Sequence, residues 1–394
     1  MSGWQTCAVP DSFVKNKVGR QNQIPAKEIA EAGRFPVVDQ GQKFIAGYCD
    51  DESKVIDFDL PLIVFGDHTR CFKYVDFPFV LGADGIKLLL PNKKLYDAMF
   101  YYFALLALDI PSRGYTRHFT ILSEQRLPLP PLPEQKKIAH ILSTVQRAIE
   151  AQERIIQATT ELKKALMHKL FTEGLRNEPQ KQTEIGIIPE SWEVVELGSL
   201  AKVGNGSTPK RANEAYWEGG TIPWLNSTKI HDRFITEADQ FVTPQAVKEC
   251  HLPKVAPNSL LIAITGQGKT LGNSAITRFE TCINQHLAYA QFHSAKIVPD
   301  FALWFMQTRY DYLRAIAHGG GSTKGALTCG FLKTLPIPVP SRAEQEEIAT
   351  TFQSLEDKKN FAVRKQAALQ DLFRSLLHQL MTAKTRVHEL GFSV

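Results

Sequence analysis

The chain has 394 residues, 43% apolar and 22% charged, with a net charge of +5 and a pI near 8.7. This composition is ordinary for a folded protein with more than one core, and it excludes a mainly disordered or membrane-embedded chain. The mild positive balance permits nucleic-acid binding without demanding it.

The opening MSGWQTCAVPDSF lacks the basic-then-apolar order of a signal peptide, and no apolar run approaches the ~20 residues that span a bilayer. A cytoplasmic protein with no membrane partner is expected. Cys7, Cys49, Cys71, Cys250, Cys282 and Cys329 are scattered, no two in CxxC spacing, so they read as reduced thiols and not as metal ligands.

In chain order, residues 1–125 hold short apolar runs at Phe35–Val38, Leu60–Phe65, Phe77–Leu81 and Ile86–Leu90, followed by an apolar helical stretch, LYDAMFYYFALLAL, at 95–108. Punctuation by Gly, Pro and Asp makes this an α/β segment with short strands. The stretch LPLPPLPEQ at 127–135 then forbids helix, so a long helix is expected to begin after its prolines, within a spacer at 126–175. A polar link, TEGLRNEPQKQTEIGIIPESW, marks a boundary. The second segment, 176–333, repeats the plan, with strands at Ser259–Thr265, Ser274–Thr277 and Leu287–Phe292 and a helix over Asp300–Ala317. Both segments open alike, on Gly3-Trp4 and Ser191-Trp192, and LPIPVPSRAEQ at 335–345 leads into a final helix within 334–394.

The duplication is explicit at an offset of 210 residues, where 134–171 aligns with 344–381. Glu134-Gln135 matches Glu344-Gln345, Ile138-Ala139 matches Ile348-Ala349, and Leu166 and Leu170 match Leu376 and Leu380. Heptad columns run through Ile138, Val145, Gln152, Thr159, Leu166 and through Leu142, Ile149, Ile156, Lys163, Leu170. The second copy keeps the register in Ile348, Leu355, Ala362, Leu369, Leu376 and in Phe352, Lys359, Gln366, Phe373, Leu380. The expected fold is therefore two α/β (α+β) domains separated by two long antiparallel coiled-coil helices, with internal pseudo-twofold symmetry. Helices of about 38 residues would be ~57 Å long, more than one ~34 Å turn of DNA.

YWEGGTIPWLNSTKI at 216–230, GNGSTPKR at 204–211, FGDHTR at 65–70, PVVDQGQKFIAGY at 36–48 and both proline-plus-EQxxIA helix starts together resemble the specificity subunits of type I restriction-modification enzymes. The resemblance covers essentially the whole chain. It implies two target recognition domains that each read half of a split double-stranded DNA sequence. It also implies helices that set the gap and dock methyltransferase subunits, two of them, with restriction subunits joining the complex. The rival reading is a non-catalytic coiled-coil scaffold that binds only proteins.

Base readout requires paired donors and acceptors, and phosphate contact requires Lys, Arg, Ser, Thr or backbone amides on loops. In the first domain these requirements single out His68, Thr69 and Arg70, then Arg113, Tyr115, Arg117 and His118. In the second they single out Ser207, Thr208, Lys210 and Arg211, then Gln267, Lys269 and Thr270, then Ser322, Thr323 and Lys324.

Enzyme readings fare worse. AITGQGKT at 263–270 is a relaxed P-loop, but Gly272, Asn273 and β-branched residues follow where a helix should start. Pro130-Pro131-Leu132 lacks the flanking residues of a methyltransferase motif, and His68, His118, His286 and His318 stand singly. No catalytic residue, metal or cofactor is predicted.

Overall fold

The computed structural model describes residues 3–15, 18, 20–57, 59–82, 85–112, 114, 117–266, 268–319 and 325–387. The chain divides into two compact units, Met1–Arg154 with Ala362–Val394, and Ile155–Phe361. A central helix, Leu132–Thr172, and a C-terminal helix, Arg342–Met381, each contribute part of their length to both. Among the described residues no helix is long and apolar enough to cross a membrane.

In the first unit a four-stranded sheet runs in the order Phe13–Val14, Ile86–Pro91, Leu62–Gly66, Phe72–Val75. A three-stranded sheet places Phe35–Val38 between Gly47–Cys49 and Val80–Leu81, the last pair parallel. The second unit repeats this plan. Ala201–Asn205, Leu287–Phe292, Leu260–Ala263, Ser274–Thr277 and Phe234–Ile235 form one sheet, and Ile222–Leu225 pairs in parallel with Cys282–Ile283 in the other. Both central strands, Leu62–Gly66 and Leu260–Ala263, are buried along their whole length, which explains why they read as continuous apolar runs.

The matched sequence openings have a common cause. Gln5–Ala8 pairs antiparallel with Arg126–Leu129, and Glu193–Glu196 pairs with Pro336–Val339. Two-stranded ribbons tolerate these prolines, whose missing N–H can face away from the partner strand. The ribbons set Trp4 and Trp192 against the helix starts, where the indole Nε1 atoms donate to Glu134 at 3.1 Å and to Glu344 at 3.3 Å. The adjacent glutamines are fully buried. Gln135 donates to the carbonyls of Leu95 and Pro130 and accepts from the Asp97 amide, all at 2.8 Å. Gln345 does the same with Lys296, Pro340 and the Val298 amide, at 2.7, 2.9 and 2.7 Å. The Glu-Gln repeat is thus a clasp between each globular domain and a helix.

Every member of the four heptad columns is buried or half-buried. In the first unit Ile138 and Leu142, from the start of the central helix, share a core with Leu376 and Leu380 from the end of the other. In the second, Leu166 and Leu170 share one with Ile348, Phe352 and Leu355. Start meets end in both, so the helices pair antiparallel. The polar seam residue Lys163 donates to Glu356 at 2.8 Å, and Arg233 reaches the other oxygen of that carboxylate at 2.5 Å. Both cations also face the buried ring of Trp304, at 4.6 and 5.4 Å from its centroid.

Two expectations need correcting. The central helix starts at Leu132, so Pro133 lies in its first turn, where an amide hydrogen has no intrahelical partner to lose. The helix expected over Asp300–Ala317 is two, Pro299–Thr308 and Tyr310–His318. At the break the Arg309 amide donates back three residues to Met306 instead of four, which tightens the turn.

Candidate nucleic-acid interface

In each unit the loops at one end of the sheets gather polar side chains. In the first, the antiparallel strands Leu62–Gly66 and Phe72–Val75 are joined by the tight turn Asp67–Cys71. Arg70 adopts a left-handed backbone, φ 62°, and its amide donates to the Gly66 carbonyl at 2.7 Å. A Cβ at Gly66 would meet Thr69 Oγ1 at 2.2 Å, so the turn requires glycine there. Thr69 Oγ1 donates to the Gln40 carbonyl at 2.5 Å, and the His68 amide donates to Gln40 Oε1 at 3.3 Å. The loop carrying Gln40 is itself pinned by the buried Lys73, whose Nζ donates to the carbonyls of Asp39 and Lys43 at 2.8 and 2.5 Å.

His118 is fully buried, its Nδ1 2.9 Å from the Asp67 carbonyl, and the Asp67 carboxylate accepts from the Phe119 amide at 2.7 Å. That pair fastens the turn to the helix Phe119–Ser123. The Arg70 guanidinium donates to the Ile110 carbonyl at 2.7 Å, while Arg117 is exposed. Arg113 and Tyr115 lie outside the described residues.

The second unit brings together three stretches that are distant in sequence. Gly206 passes so close to Ile283 that a Cβ would meet its carbonyl oxygen at 1.9 Å, which sets Ser207 and Thr208 beside Asn284–His286. Thr208 Oγ1 donates to Gln285 Oε1, Gln285 Nε2 lies 3.1 Å from His286 Nε2, and His286 Nδ1 lies 2.5 Å from Thr265 Oγ1. Gln285 and His286 are exposed. Arg211 stacks 3.8 Å over the ring of Trp217 and donates to Gln240 at 2.6 Å, and both it and Lys210 are exposed.

The loop carrying Lys269 and Thr270 joins two antiparallel strands and is followed by the strand Ser274–Thr277 instead of a helix, which is incompatible with a phosphate-binding P-loop. Tyr310 and Asn273 donate to the Lys269 carbonyl at 2.9 and 2.7 Å, and His231 Nε2 lies 3.2 Å from Thr270 Oγ1. The backbone is moored while the Lys269 side chain stays exposed. Gln267, Ser322, Thr323 and Lys324 lie outside the described residues.

Sequence reasoning missed Gln40, Gln285, His286 and Thr265. The signal available was positional: Gln40 follows the strand Phe35–Val38 and Gln285 follows Cys282–Ile283, each a member of its unit's parallel strand pair. Amides, hydroxyls and imidazoles in this arrangement can present paired donors and acceptors to base edges. Among the described residues, no group of three or more His, Cys, Asp or Glu side chains could hold a metal ion.

The family described as type I restriction modification DNA specificity domain matches residues 1–160 and 189–370. A putative type I restriction enzyme specificity subunit of Methanocaldococcus jannaschii is 28% identical over 329 residues, 78% of this chain and 73% of that one. A type I restriction enzyme specificity subunit of Escherichia coli is 24% identical over 337 residues, covering 82% and 80%. Among solved structures, a type I restriction-modification S subunit from M. genitalium superimposes with a TM-score of 0.67 over 96% of both chains, at 18% identity.

Proposed function

Because the chain belongs to the family of type I restriction-modification DNA specificity domains, we propose that it reads a bipartite DNA target, one half-site with each globular domain. It is the recognition member of such a system, and catalysis belongs to other chains. In this reading residues 1–125 and 176–333 are the recognition domains. Helices of 41 and 40 residues, ~60 Å each, set the number of base pairs between half-sites. Two methyltransferase subunits dock on the helices, restriction subunits join them, and the assembly acts in the cytoplasm. The chain's net charge of +5 is small for an unaided DNA binder, so the other subunits supply part of the phosphate contact.

The observation that carries this reading is that both units gather donor-and-acceptor side chains on strand-end loops, with the His68–Arg70 turn and the Thr265 loop joining equivalent strand pairs, Leu62–Gly66 to Phe72–Val75 and Leu260–Ala263 to Ser274–Thr277. Gln40, His68, Thr69 and Arg70 form one set, and Thr208, Thr265, Gln285 and His286 the other. Arg117, Lys210, Arg211 and Lys269 are exposed cations placed to meet phosphates, with Ser207 on the same loop as Lys210 and Arg211. Arg113, Tyr115, Gln267, Ser322, Thr323 and Lys324 extend the same loops in sequence.

The test is methylated-base mapping across the genome of cells that express the chain with its neighbouring modification subunit, beside a deletion control. A split motif with a fixed gap that disappears on deletion is expected. Recovery of the motif without the chain overturns the reading, and purified complex with no salt-sensitive DNA affinity would favour a protein-only scaffold.

A further inference from the structure

Away from the loops described above, the second unit contains a cleft of about 790 Å³. The last turns of the central helix, the hairpin Gln180–Thr183 with Gly186–Pro189, and the helix break at Arg309 form its walls. Lys163, Lys164, His168, Arg233, Arg309 and Lys359 line it, against one lining carboxylate, Asp311. Glu356 serves Lys163 and Arg233 together, so one carboxylate balances two cations, and Lys359 adds a third positive charge beside it. Among the described residues neither Lys164 nor Lys359 makes an ion pair, and the Arg309 guanidinium donates only to a backbone carbonyl, that of Ile185, at 2.9 Å. Burial draws Arg309 below its ordinary range, a sign that this charge is partly stripped of water. Lys163, Arg233, Arg309 and Lys359 are half-buried, and such a concentration of cations is stabilised by an anion that enters among them.

The rest of the lining says what carries that anion. Ile187, 48% exposed, offers an apolar surface backed by the buried Phe171 and Phe305. A DNA backbone has little to offer such a surface, whereas an acidic polypeptide segment carries carboxylates and apolar side chains together. A separate recess on the same two helices bears Glu346 and Glu347, which repel such a segment and leave the cationic cleft as its place. About half of the cleft's lining lies between residues 161 and 188, the stretch that the family match skips.

We propose that this cleft binds an acidic, partly apolar segment of a partner protein and selects the cognate modification subunit over those of other such systems. This rests on the reading that the chain assembles with modification subunits.

The test measures the affinity of the full chain for the modification subunit encoded beside it, at low and high salt, and separately its affinity for target duplex. K164E/K359E is expected to weaken subunit binding at least tenfold and flatten its salt dependence, with duplex affinity unchanged. K358E, a like charge change at the acidic recess, should stay within twofold of wild type. D311N, which removes the cleft's lining carboxylate, should bind the subunit several-fold more tightly, a gain that misfolding cannot produce. Unchanged subunit affinity in both cleft variants overturns the proposal and leaves the recognition function standing. A parallel loss of duplex affinity assigns the cleft to DNA and overturns it as well. A wild-type chain that binds target duplex but no modification subunit overturns the assembly reading, and the cleft's role falls with it.

Discussion

The two units share the Trp-to-Glu contact and the buried glutamine clasp, but they hold their helix pairs differently. At the 210-residue offset, Lys163 of the second unit corresponds to Phe373 of the first, and Glu356 to Gln146. In the first unit Phe373 packs edge-on against Phe103 at 5.9 Å, and Gln146 lies against the Tyr102 hydroxyl. In the second, the same positions carry an ion pair joined by Arg233 and covered by Trp304. One fold thus accepts an aromatic or an ionic joint at one place. A buried ion pair adds little net stability over an apolar contact, but losing one of its members is expensive, so it fixes register more than it strengthens the unit.

The largest way to break this comparison is Glu356→Ala, which strands Lys163 and Arg233 together. It should destabilise the second unit by about 3 kcal/mol, whereas Gln146→Ala in the first should cost about 1 kcal/mol or less. Urea unfolding followed by tryptophan fluorescence measures the first, since Trp192, Trp217, Trp224 and Trp304 all lie in the second unit. The same joint gives a pH dependence. Burial works against the Glu356 carboxylate, but the hydrogen bond from Lys163 and the charges of Arg233, Lys163 and Lys359 outweigh it and hold the group below 4.5. Burial instead dominates at Lys163, whose ammonium is drawn down despite the hydrogen bond to Glu356. A depressed carboxyl contributes stability above its unfolded value, and that contribution disappears as pH falls through the folded one. The tryptophan-monitored transition should weaken below about pH 4.3, and Glu356→Gln should remove that acid limb.

Next in size, Gln135→Ala and Gln345→Ala should each cost about 2–3 kcal/mol, because each leaves two carbonyls and an amide buried without partners. Equal losses, read by hydrogen exchange in each unit, sharpen the equivalence of the clasps, and a loss in one unit alone breaks it. Smaller still, Gln40→Ala and Gln285→Ala should relax base preference by about 1–2 kcal/mol, each in its own half-site, as measured by selection from randomised duplexes. Both effects falling in one half-site would break the assignment of one domain to each half. Last, Lys269→Ala should weaken binding to all sequences alike and lower the salt slope by about 1, as read from a salt titration.

The helices were the most legible part, because a period of seven sustained across two copies leaves no other fold for those residues, and all twenty column positions are buried or half-buried. The central strands were legible through their apolar runs. The Glu-Gln repeat was visible as identity, but its purpose was not, since Gln135 and Gln345 act on carbonyls some forty to fifty residues away. The Lys163–Glu356–Arg233 joint reads in sequence only as polar interruptions of a heptad, because its members come from three elements. The interface loops were visible as loops. Which of their side chains are held by partners was hidden, because burial of His118 and stacking of Arg211 depend on Asp67, Trp217 and Trp224 across the fold.

The shared core of the first unit also has an order in time. Leu380 and Met381 are buried among residues that leave the ribosome far earlier, and Arg386 joins Glu134 across 252 residues. At about 5–20 residues per second that interval is tens of seconds. The second unit, an unbroken stretch from Ile155 to Phe361, is complete before the first can be. During synthesis the amino-terminal domain waits with an open apolar flank, so it is the half with the greater need of a chaperone, and substitutions near Leu380 would show as aggregation of the domain made first.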